Sequence, residues 1–72
     1  MIKYTKSFLK KLNKESIIGK FFEKDKMVNI LRDEAEEHFK FNISLREAYE
    51  LLEHLEKDGI IITRRKNYMR CL

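Results

Sequence analysis

The chain has 72 residues, 39% of them charged and 43% hydrophobic, which allows one small domain whose core is expected to leave about 3–5 kcal/mol of net stability. Its single cysteine, Cys71, closes no internal disulfide, and no apolar run nears the roughly 18 residues needed to span a bilayer. The start, Met1, Ile2, Lys3 and Tyr4, also lacks the apolar core of a secretory signal, so a soluble, intracellular (cytoplasmic) protein is expected.

The net charge of +4 is unevenly distributed. Residues 1–26 carry eight lysines against three acids, residues 27–58 four cations against nine acids, and residues 59–72 four cations and no acid, for nets of +5, −5 and +4. A polyanion is drawn to the two ends of such a sequence and repelled by its middle.

Thr5 is a plausible N-cap for a first helix that ends near Asn13, with Phe8, Leu9 and Leu12 on one side and Lys6, Lys10, Lys11 and Lys14 on the other. Residues 16–22 are ambiguous. The apolar pairs Ile17-Ile18 and Phe21-Phe22 suit a helical turn, the β-branched run before Gly19 suits a strand, and helix or irregular structure is the expectation. Asp25 is then expected to cap a second helix with Met27, Val28, Leu31, Ala35 and His38 or Phe39 on its apolar face, stopped by Asn42 in the left-handed conformation.

A third helix is predicted from Ser44 and Glu47, which form a capping box, with Ile43 and Ala48 as its hydrophobic staple. Leu45, Ala48, Tyr49, Leu52 and Leu55 make its apolar stripe, and Gly59 ends it. Only residues 40–43 separate it from the second helix, so the pair forms a tight helix-turn-helix. The β-branched run Ile60, Ile61, Ile62 and Thr63, four polar residues, and then Tyr68 to the end predict a hairpin with a somewhat loose turn.

Over residues 26–72, and more weakly upstream, the chain resembles the winged helix-turn-helix family. Leu52 and Leu55 followed by Gly59, Ile60 and Ile61 are similar to the leucine, glycine, leucine-isoleucine pattern with which such domains leave their third helix and enter the wing. Residues 48–72, an acidic helix, a glycine and a basic hairpin with an aromatic, also look like the C-terminal winged helix of archaeal minichromosome-maintenance helicases. The resemblance implies a mainly α domain of three or four helices followed by a two-stranded wing. It would span 1–72, with the helix-turn-helix at about 26–57 and the wing at about 60–72. It also implies duplex DNA as partner, with the third helix in the major groove and the wing on phosphate or in the minor groove, in a transcription regulator or replication accessory.

The residues themselves qualify that expectation. The third helix carries Glu47, Glu50, Glu53, Glu56 and Asp58 against Arg46 and Lys57, a poor match for a groove lined by phosphates. Only Ser44, Arg46 and Tyr49 near its start suit DNA. The better candidates are Arg64, Arg65, Lys66 and Arg70 of the wing, with Lys6 and Lys10 of the first helix. Two other readings stay open. A basic hairpin tip also protects an exposed sheet edge, and the acidic face of helices two and three suits a protein partner or a second copy in a dimer. The N-terminal lysines interleaved with phenylalanines would also suit a membrane surface, less well, because so small a core needs the aromatics. His38, His54 and Cys71 lack paired ligand spacing, and no nucleophile-base pair or glycine-rich loop is present, so no metal, cofactor, small-molecule substrate or enzymatic activity is expected.

Overall fold

The computed structural model describes residues 4–71. Its first helix, α1 (Lys6–Lys11), starts at Thr5, whose Oγ1 accepts the Phe8 amide at 3.1 Å. Phe8 and Leu12 carry the apolar side of this segment into the core. Phe8 stacks on Phe39, with ring centroids 5.5 Å apart, which anchors α1 to the end of the second helix.

Residues 16–20 are irregular, as one of the two expected forms had it, and only Phe21 and Phe22 depart from the helical or irregular expectation. Gly19 turns the chain at φ +73, and β1 (Phe21–Glu23) follows, so Phe21 and Phe22 lie on opposite faces of a strand. The cause is tertiary, since the backbone groups of this segment pair with a strand more than forty residues away, in the register Phe21↔Met69, Phe22↔Tyr68 and Glu23↔Asn67.

The second helix, α2 (Lys24–Phe39), leaves β1 directly, with Glu23 in the N-cap position making no side-chain cap bond. Asp25 is thus not the cap, and its carboxylate instead accepts the Tyr49 hydroxyl at 2.8 Å. Met27, Val28, Leu31 and Ala35 are buried as the periodicity predicts. Lys40, not Asn42, takes the left-handed stop at φ 63, with its amide on the Glu36 carbonyl at 2.9 Å. The last turn closes directly after Phe39, which packs on the core, and Lys40 takes the left-handed position usually given to glycine or asparagine.

The third helix, α3 (Leu45–Lys57), has the predicted capping box. The Ser44 hydroxyl accepts the Glu47 amide at 3.1 Å, and the Glu47 carboxylate accepts the Ser44 amide at 2.9 Å. These bonds to Ser44, backbone first, hold the Glu47 carboxyl below its ordinary value. A folded-state pKa below the unfolded one stabilises the fold at neutral pH, and the contribution is lost as pH falls through the folded value. Ser44→Ala is expected to cost about 1 kcal/mol. A urea titration at neutral pH checks the size, and the gap between variant and parent should shrink in acid as Glu47 protonates.

The buried stripe of α3 is Ala48, Leu51, Leu52 and Leu55, an i, i+3, i+4, i+7 pattern. Leu45, expected in it, is 48% exposed, because it begins the helix beyond the core, and Ile43 from the preceding turn is buried in its place. The helix ends in a Schellman motif, with the Gly59 amide on the Glu56 carbonyl at 3.0 Å and the Ile60 amide on the Leu55 carbonyl at 2.9 Å. Gly59 takes φ +76, which L side chains rarely adopt.

Two further strands, β2 (Ile61–Arg64) and β3 (Asn67–Arg70), complete the chain, and β1 makes the sheet three-stranded and antiparallel in the order β1-β3-β2. The expected mainly helical domain with a C-terminal β-wing is present, in a winged-helix-like plan with one strand more than the two-stranded wing. The wing strands add Ile61 and Tyr68 to the helical core. No helix among the described residues is long and apolar enough to cross a membrane.

Candidate nucleic-acid interface

The hairpin register pairs Arg64 with Asn67, so the turn is two residues, Arg65 and Lys66, rather than the loose four-residue connection expected. Both have positive φ, 52 and 66, the pattern of a type I′ turn, whose twist matches that of the flanking strands. Glycine and asparagine are the usual occupants of such positions. Here they hold two long cations. Arg64, Arg65 and Lys66 are exposed, and none forms an ion pair among the described residues.

Strand alternation divides the remaining wing residues. Ile61, Tyr68 and Arg70 face the helices, whereas Ile62, Asn67 and Met69 lie on the outer face. Arg70 therefore does not stand with the exposed cations. It is buried, its Nη1 reaches the Ile60 carbonyl only at 3.4 Å, and its Nε has no partner among the described residues. The signal was in the sequence, because Arg70 shares parity with Tyr68, but charge alone does not read parity.

On α3 the three candidates are already engaged. Ser44 is committed to the capping box, Arg46 is exposed with its Nε 3.5 Å from the Glu50 carboxylate, and Tyr49 donates its hydroxyl to Asp25. The bond to Asp25 raises the Tyr49 pKa, so the phenol stays a donor. Lys24 sits over the Tyr49 ring, 5.6 Å from its centroid, a cation that spacing had not suggested because β1 and α2 had to meet α3 first. Glu53 and Glu56 are exposed, and Glu56 accepts the Thr63 hydroxyl of β2.

Lys6 and Lys10 are exposed on α1, which packs on α2 and not on the hairpin. The first helix and the wing are thus separate basic features. Lys14 is drawn off to α2, with its Nζ 2.7 Å from a Glu34 carboxylate oxygen, a hydrogen bond that raises its pKa. At the other end of α3, Tyr4 donates to Asp58, and that bond raises the tyrosine pKa. His38, His54 and Cys71 do not gather into a metal-binding group among the described residues.

The most concentrated basic feature is thus the hairpin tip, with three consecutive cations in no ion pair among the described residues, on a domain whose third helix is acidic outside. No protein-family model, curated protein or solved structure matches this chain, whose three helices and small antiparallel sheet are consistent with a winged-helix-like fold.

Proposed function

We propose that this domain binds duplex DNA through its wing, in a transcription regulator or replication accessory. Arg64, Arg65 and Lys66 lie on the sugar-phosphate backbone, and the lysines of α1 add attraction at longer range. The observation that supports this reading most is the hairpin turn. Edge protection needs only a charged strand, whereas this turn sets two long cations side by side at an exposed tip, in positions usually given to glycine and asparagine. The acidic outer side of α3 argues against ordinary major-groove reading by that helix, so affinity should come from phosphate contacts with little base specificity.

Duplex titration by fluorescence anisotropy at two salt concentrations tests this. Replacing Arg64, Arg65 and Lys66 together by alanine is expected to lower the slope of log affinity against log salt by about 2.7, at roughly 0.9 for each phosphate no longer neutralised. An unchanged slope would remove the wing from the interface. A parent protein that ignores duplex DNA at low salt would shift the reading to a protein partner, because Phe41 and Leu45 are 53% and 48% exposed beside the acidic face of α2 and α3.

A further inference from the structure

The outer face of the sheet carries an apolar row that no element among the described residues covers. The register aligns Phe21 of β1, Met69 of β3 and Ile62 of β2 across the three strands. Phe22, the neighbour of opposite parity, packs against the core, while Phe21 is 42% exposed. Beside it lies a shallow hollow of about 390 Å3 lined by Phe21, Arg64, Arg65 and Asn67. One aromatic ring, two guanidinium groups and a carboxamide thus border a common space.

We propose that this face holds an unpaired nucleobase of a single-stranded nucleic acid, stacked on Phe21, with the adjoining phosphate on Arg64 and Arg65. The inference rests on the nucleic-acid reading of the wing and extends it from phosphate to base. Charge complementarity selects the occupant. The next row of the sheet runs Glu23, Asn67, Arg64, so the acid lies at the β1 edge and the cations at the β2 edge. A strand is therefore oriented with its phosphates over Arg64 and Arg65 and its base toward β1, where Phe21 supplies the ring and Asn67 both a donor and an acceptor for the base edge. Stacking on an aromatic side chain beside a basic track is the general device for holding single strands, and it tolerates any base because each has a π-face. In duplex DNA both faces of a base are occupied by its neighbours, so Phe21 has no role there and only the wing cations act.

Phe21→Ala and Phe21→Trp separate the two contributions. The chain has no tryptophan, so the Trp variant carries a unique fluorophore at the site. Labelled single-stranded DNA and RNA of about 12 nucleotides, a length within the range of single-strand sites on OB-folds, are titrated beside a duplex. Phe21→Ala is expected to weaken single-strand binding about tenfold, in line with the usual contribution of one stacked base, and to change duplex affinity less than about twofold, since only wing phosphate contacts act there. Phe21→Trp should keep single-strand affinity and lose fluorescence on binding. The DNA and RNA arms show which sugar the face accepts.

Single-strand affinity indifferent to Phe21→Ala, or tryptophan emission unmoved at saturation, overturns the stacking proposal. So does a parent dimer that Phe21→Ala dissolves in sedimentation, since the face would then join two copies. If duplex binding by the wing persists in those cases, only the base site has failed; if neither duplex nor single strand binds the parent, the nucleic-acid reading fails as a whole.

Discussion

Replacing Arg65→Asn and Lys66→Gly together is expected to make the domain more stable and a weaker DNA binder. The two turn residues adopt φ 52 and 66, where a Cβ crowds the following carbonyl. Asparagine tolerates that conformation and glycine has no Cβ, so the change relieves strain, partly offset by the larger backbone entropy that glycine loses on folding. A net gain of about 1–2 kcal/mol follows, and at this chain length each kcal/mol moves Tm by about 4–8 °C. The same change removes two of the three exposed cations of the wing, so the salt slope for duplex binding should fall by about 1.8. Thermal unfolding followed by circular dichroism and duplex titration on one preparation read both effects. Gain of stability with binding intact would reduce the wing to edge protection, and loss of stability would contradict the strain.

Leu55→Ala is expected to remove most of the domain's stability and leave a substantial unfolded fraction at 25 °C. Leu55 is fully buried in the core, on a helix that packs on both α2 and β2, and its carbonyl accepts the Ile60 amide that turns the chain into the wing. Truncating a buried leucine costs about 2–5 kcal/mol, and a domain of this size holds only about 3–5 kcal/mol. The matched control is Leu45→Ala, which should stay within about 0.5 kcal/mol because its side chain is largely in solvent. Urea unfolding curves for the two variants give the comparison. Equal losses would mean that Leu45 takes part in the core as the apolar spacing suggested.

These two leucines show how far the pattern could be read. Both fit the helical period of α3, and the period identifies a face without saying how far along the helix the core extends. The α3 caps, by contrast, were fully legible, because the Ser44–Glu47 box and the Gly59 stop depend on bonds within a few residues. Asp25 and Asn42 failed for the complementary reason. Each has the right chemistry for a helix end, but β1 runs straight into α2 and the last turn closes at Lys40, so tertiary placement moved both boundaries.

For the candidate interface, the exposed cations of the wing were visible as a charge run, and their division was not. Arg70 reads like Arg64 until β-strand parity turns it inward beside Tyr68. Phe21 reads like Phe22 until β1 pairs with β3 and sets the two rings on opposite faces. The carboxylates of α3 were legible from the start and already counted against groove reading.

The sequence by itself determined the helices, their caps at α1 and α3, the hairpin and the separation of charge, since each rests on interactions between near neighbours or on composition. Tertiary structure alone decided that the end of the ambiguous segment becomes β1, that the sheet has three strands and that one phenylalanine is exposed. Those outcomes depend on pairing between residues more than forty positions apart, where backbone hydrogen bonds must be satisfied by whichever strand the fold brings alongside.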